Sequence, residues 1–152
     1  MSNGKRSLVL LLAVAIFWIL FPPTGKAAKK KPYGPYRAMV VRVIDGDTVE
    51  VDVLPWPGLV QRVKLRLAGV NTPEKRGRGV SLCEKVAAKR ATDFTRRFVR
   101  HVAQVTVSEV RLGKFAGRVL GKISVNGRDL GDAPVAAGLG RPYSGGRRRA
   151  WC

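Results

Sequence analysis

Only ten acidic residues stand among 29 lysines and arginines in this chain of 152 residues, so the places where acids and amides gather are informative. Asp45 and Asp47 flank Gly46, and further along Asn71, Thr72 and Glu74 surround Pro73. Brought to one rim of a small fold, these two segments would present carboxylate, amide and main-chain oxygens to a hard cation. Calcium takes such an oxygen-only set. Zinc suits it less well, because His101 is the single histidine and the two cysteines, Cys83 and Cys152, are remote from the acids in sequence.

The flanking pattern supplies the elements that could position them. Met39, Val41 and Val43 alternate with Val40 and Arg42, Asp45-Gly46-Asp47 supplies a turn, and Val49, Val51 and Val53 resume a period of two, which predicts a β-hairpin from about Arg37. Gln61 to Leu67 alternates again, with Val63, Leu65 and Leu67 on one face and Arg62, Lys64 and Arg66 on the other. Val70 to Gly79 reads as a loop. Ser81-Leu82-Cys83-Glu84 then has the form of a capping box, and Cys83, Val86, Ala87, Ala91, Phe94 and Phe98 follow helical spacing along one stripe.

Val105, Val107 and Val110 mark a fourth strand, and Val119 to Val125 marks a fifth that ends in the tight-turn pair Asn126-Gly127. A short helix is predicted from Gly131 to Ala137, and the tail from Arg141 shows no periodicity. The expected fold is therefore α+β and mainly β: a five-stranded OB-type Greek-key barrel, with one longer helix between strands 3 and 4 and a short helix after strand 5. Fold alone does not assign a function.

The net charge of +19 exceeds anything folding requires and favours polyanionic partners: nucleic acid, anionic lipid or acidic polysaccharide. Residues 1–27 have the layout of a signal peptide, with Lys5 and Arg6 before an apolar run from Leu8 to Phe21, then Pro22-Pro23 and the small-x-small site Gly25-Lys26-Ala27. Cleavage there leaves 26 basic against 10 acidic residues, so the charge survives processing. The domain is expected to be secreted or periplasmic; if uncleaved, residues 8–21 would anchor it to the inner membrane facing outward, although the run is short for a span. A basic, Pro-rich linker over residues 28–36 separates this leader from the domain at residues 37–152. In an exported chain the two cysteines make one disulfide, Cys83 to Cys152, the economical reading.

Ile44-Asp45-Gly46-Asp47-Thr48, then Leu65-Arg66-Leu67 leading to Asn71-Thr72-Pro73-Glu74, then Phe115-Ala116-Gly117-Arg118, resemble the staphylococcal nuclease (thermonuclease) family, in order from about Arg37 to Leu139. The resemblance implies a calcium-dependent nuclease that acts on DNA and RNA with little sequence specificity and leaves 3′-phosphate products. It implies one Ca2+ held by Asp47, Asn71 and the main-chain oxygen of Thr72, with Glu74 as the base toward water and Arg66 and Arg118 as phosphate clamps. Developing negative charge on a phosphoryl group is what two guanidiniums and a divalent cation stabilise.

Two departures stand out. Asn71 occupies a place where many relatives carry aspartate, which removes a charge from the calcium set and predicts weaker metal affinity. Lys114-Phe115-Ala116-Gly117 replaces the Asp-Lys-Tyr-Gly type of stretch found before the arginine in relatives. Among the residues given no part in the chemistry, Asp45 forms an Asx turn on the simplest reading, Glu84 serves the capping box, and His101 is a bystander. Trp56 and Tyr143 could stack bases or pack. Arg147, Arg148 and Arg149 are either solvated charge or additional nucleic-acid contacts. A catalytically silent barrel that binds nucleic acid, or a cationic envelope protein that binds acidic polymers, are the rival functions; a monomer is the default state.

Overall fold

The computed structural model describes residues 31–113 and 117–152. The expected leader and the Lys114-Phe115-Ala116 stretch lie outside the described residues. The barrel is built from five strands, β1 (Tyr36–Asp45), β2 (Thr48–Trp56), β3 (Leu59–Leu67), β5 (Val105–Leu112) and β6 (Arg118–Val125). Hydrogen bonding runs β3-β2-β1-β5-β6, and a parallel β3–β6 ladder closes the circle. This is the mainly β, OB-type barrel that the alternation predicts.

Period-two burial drives it. Val49, Val51 and Val53 from β2, Leu65 and Leu67 from β3, Val105 and Val107 from β5, and Ile123 and Val125 from β6 fill the interior. β1 alternates as far as Val41, with Ala38 and Val40 inward and Met39 and Val41 exposed, but then breaks step: Arg42 is exposed as well, and Val43 turns back to the core. Register shifts against β2 between Val40 and Arg42 and between Val43 and Asp45 are the cause, since the extra residue of a bulge reverses the facing of the residues beyond it. The bends carry the end of β1 over toward the helix and deliver Asp45 to the rim.

Ser81 caps α1 (Leu82–Phe98), its hydroxyl accepting the Glu84 N–H at 3.1 Å. The buried face of α1 is Ala88, Ala91, Thr92 and Thr95, rotated from the expected apolar stripe: Cys83 and Val86 are exposed. Small residues and threonines win there because the β1–β2 turn comes close. A Cβ added to Gly46 would lie 2.8 Å from the Ala91 Cβ, and the Thr95 hydroxyl donates to the Gly46 carbonyl at 2.8 Å.

Three short strands complete the fold. Asn126 and Gly127 both take positive φ, as a tight hairpin demands, and turn β6 into β7 (Arg128–Asp129). α2 (Asp132–Ala136) comes next and ends before Gly138, again at positive φ. Sequence periodicity does not foresee the last pair: β4 (Gly69–Asn71), overlapping the start of the expected loop, pairs antiparallel with β8 (Arg141–Tyr143), inside the expected tail. Each is three residues long, too short for alternation to register. At the other end of the domain the linker is tied earlier than expected, Tyr33 exchanging two main-chain hydrogen bonds of 2.9 Å with Val110.

Candidate active site

The turn between β1 and β2, the end of β3 and the start of the segment after β4 meet at one rim. Asp45 accepts the Asp47 N–H at 3.1 Å, the Asx turn expected of it, which aims Asp47 inward. Leu67 N–H donates to the Asp47 carbonyl at 2.8 Å, fixing the turn against the end of β3. Asp47 is only 2% exposed and fully engaged. One carboxylate oxygen accepts Arg66 Nη1 at 2.6 Å and the Thr48 hydroxyl at 3.2 Å; the other accepts the Thr72 N–H at 3.0 Å.

Arg66 shares its strand face with Arg62 and Lys64, yet it is 8% exposed where they are open to solvent. The difference is its cover: Nη2 donates to Asn71 Oδ1 at 3.2 Å while Nη1 holds Asp47, so one guanidinium fork spans both segments. Among the described residues the buried polar side chains are Asp47, Thr48, Arg66, Asn71 and Thr72, with Thr92 and Thr95 behind them on α1. A buried polar cluster of this kind costs desolvation and gains nothing for a plain core. Burial pushes the Asp47 carboxyl up to about 6; Arg66 opposes the rise, Asp45 adds to it, and the Thr72 N–H opposes it.

Glu74 lies further along the same segment, half-buried, and its main chain is anchored by a residue whose spacing suggests capping alone. Glu84 Oε1 accepts the Glu74 N–H at 3.1 Å, so Ser81 caps the helix while Glu84 serves the site rather than reciprocating within the capping box. Lys75 fixes the other side, donating to the Ile44 carbonyl at 2.6 Å; burial holds its ammonium below the usual lysine range. Glu84, Lys75 and Thr95 are the supports that sequence reasoning misses. Each acts through a long-range bond, for which local spacing carries no signal.

Arg118 opens β6 and pairs in register with Lys64 across the parallel ladder, with Leu120 opposite Arg66. It therefore stands on the strand adjoining Arg66. From the tail, Arg148 Nη1 donates to Glu74 Oε1. Arg147 and Arg149 are exposed. Trp56 is 73% exposed, and Tyr143 sends its hydroxyl to the Gly146 carbonyl at 2.8 Å. His101 is exposed beyond the helix end at positive φ, away from the cluster. Cys83 and Cys152 form the expected disulfide.

The donor chemistry of this rim suits a hard cation: Asp47 and Asn71 could offer side-chain oxygens and Thr72 its main-chain oxygen, and a buried carboxylate pushed up by desolvation is stabilised as an anion by added positive charge. Among the described residues no cluster of three or more His, Cys, Asp or Glu side chains occurs, which leaves amide and main-chain oxygens to complete any such shell.

No curated protein matches the chain. The family model of the staphylococcal nuclease homologues matches residues 64–149, more than half of the chain, from β3 through the closing ladder and into the tail. With the five-stranded barrel and the rim at which Asp47, Arg66 and Asn71 converge, that match means that this chain belongs to the staphylococcal nuclease family.

Proposed function

We propose that this protein is a calcium-dependent phosphodiesterase that hydrolyses DNA and RNA with little sequence preference and leaves 3′-phosphate products. The observation that carries the reading is the buried cluster of Asp47, Arg66, Asn71 and Thr72, drawn from separate segments, with Glu74 anchored beside it. Asp47, Asn71 and the Thr72 carbonyl would hold Ca2+, whose charge, when bound, offsets the negative charge that builds on the phosphoryl oxygens.

The chain's own groups supply the rest. Glu74 accepts the proton as the water oxygen forms its bond to phosphorus. The bond from phosphorus to the 5′-oxygen breaks, that oxygen takes the electron pair and a proton from solvent, and the phosphate stays on the 3′ side. Arg66 and Arg118 offer guanidinium donors to the equatorial oxygens, whose charge is greatest in the transition state. Recognition through phosphate rather than base edges accounts for low sequence preference.

Export fits the Cys83–Cys152 disulfide, a bond that oxidising compartments sustain. N-terminal sequencing of the protein recovered outside the cytoplasm distinguishes a cleaved leader from an anchor. The deciding experiment is cleavage of single-stranded DNA and RNA by the purified protein with calcium or with chelator, beside Glu74→Gln. Loss of cleavage in chelator, and a fall of about 10²- to 10⁴-fold in Glu74→Gln with binding retained, is expected. Metal-independent binding without cleavage would instead make this a binding barrel.

A further inference from the structure

Three consecutive arginines lie near the end of the basic tail, and Arg148 among them reaches the candidate site. Arg148 donates through Nη1 to Glu74 Oε1, and the Asp47 carboxylate also favours its charge. The contact is a built one. β8 is hydrogen-bonded to β4, the segment that leads directly into Asn71 and Thr72. The Arg141 guanidinium lies 4.1 Å from the ring centre of Trp151 and donates to the Ala150 carbonyl at 3.0 Å, while Tyr143 bonds the Gly146 carbonyl at 2.8 Å. Beyond Trp151, Cys152 is bonded to Cys83 in the first turn of α1, next to Glu84, the residue that holds the Glu74 N–H. The tail and Glu74 are thus fastened to the same end of one helix.

We propose that Arg148 is a third phosphate-contacting arginine of this site, delivered by the tail and kept in place by the Cys83–Cys152 bond. The proposal rests on the phosphodiesterase reading of the rim. A guanidinium carries five N–H donors, and Glu74 takes one in the free protein. A phosphodiester whose attacking water is served by Glu74 must lie within reach of that same guanidinium, because both share one carboxylate oxygen's surroundings. Arg148 therefore exchanges a carboxylate partner for a phosphate oxygen on binding, and it holds Glu74 in position until then. Arg147 and Arg149 are exposed as Arg148 is, and it is the contact with Glu74 that sets Arg148 apart; the other two contribute diffuse attraction.

The test is anisotropy with a fluorescein-labelled oligothymidylate in chelator, where no cleavage occurs, using the full chain as wild type, R148A, R148K and R149A across a salt series. R148A is expected to weaken binding about 10-fold and to reduce the slope of log affinity against log salt by about 0.7, the value for one phosphate contact on a single strand. R149A removes the same charge and should cost about 2-fold, with little change in slope. R148K should restore only part of the loss, since an ammonium lacks the planar fork.

In a C83S/C152S background, which frees the tail, the R148A penalty should shrink to about 3-fold. Equal losses and equal slopes for R148A and R149A overturn the assignment of Arg148, and an undiminished penalty in the cysteine-free background overturns the part given to the disulfide. A wild-type protein that binds no oligonucleotide overturns the functional reading itself, which separates the two failures.

Discussion

Gly46→Ala tests whether the site's geometry is set by the packing of a turn. Gly46 lies between the two aspartates, and a methyl group there would sit 2.7 Å from Thr72 Oγ1, 2.8 Å from the Ala91 Cβ and 2.9 Å from the Thr72 Cβ. Ordinary contact begins at 3.4 Å, so the turn must retreat by several tenths of an ångström. None of these neighbours is a flexible side-chain end: Thr72 and Ala91 are both buried, and Ala91 belongs to α1. Overpacking of this kind costs about 1–3 kcal/mol. In a domain of this size that lowers Tm by roughly 4–12 °C.

The displacement also reaches the chemistry. Asp47 is the next residue, and it accepts a 3.0 Å bond from the N–H of Thr72, the same residue that the added methyl group presses against. Calcium affinity and cleavage should both fall, by about 10-fold or more, as misplacement on this scale does elsewhere. The assay pairs thermal denaturation, with and without calcium, with single-turnover cleavage. Ala91→Gly relieves one of the three contacts, so Gly46→Ala should cost less in that background. An unchanged Tm and unchanged calcium titration in Gly46→Ala would refute the packing argument, since the turn would then have room the structure denies it.

Asn71→Asp restores a formal charge to the oxygen set and should lower the calcium concentration for half-maximal stabilisation by about 10-fold, read by calcium-dependent melting. Calcium uptake should also weaken as pH falls through about 6, because burial raises the Asp47 carboxyl to that value and the protonated form cannot serve as an anionic ligand; calorimetric titration between pH 5 and 8 checks this. C83S/C152S releases a closure spanning 69 residues of sequence and should cost about 2–4 kcal/mol in urea denaturation, with the barrel's circular dichroism retained.

The barrel is legible in the sequence because its strands are long enough to alternate: β2 and β3 each span nine residues, and their valines and leucines read directly as one wall of the core. Asp47, Arg66, Asn71, Thr72 and Glu74 are legible through motif order, but their bonds are not. Arg66 reads as an exposed strand residue beside Arg62 and Lys64, and only the arrival of Asp47 and Asn71 from elsewhere buries it. Glu84 satisfies the capping-box spacing so well that its real partner, Glu74 N–H, is hidden by a plausible local one. β4 and β8 are illegible because three residues hold no period, and the buried face of α1 is misjudged because the deciding neighbour, the Gly46 turn, comes from a distant part of the chain.

The parallel β3–β6 ladder has a further meaning for how the molecule comes into being. It joins Lys64–Leu67 to Arg118–Gly121, residues separated by the whole of α1 and β5, whereas the β1–β2 and β2–β3 pairs join neighbours along the chain. Loop-closure entropy makes such a distant pairing slow to form, and it rewards the chain only after the hairpins already exist. Arg66 and Arg118 both ride on this seam. A half-folded chain can own a sound β1–β2–β3 meander, with Asp47 in its turn, and still have no second arginine beside the first. Competence for phosphate thus arrives with the last stitch of the barrel, and its recovery during refolding reports complete closure rather than the growth of β-structure.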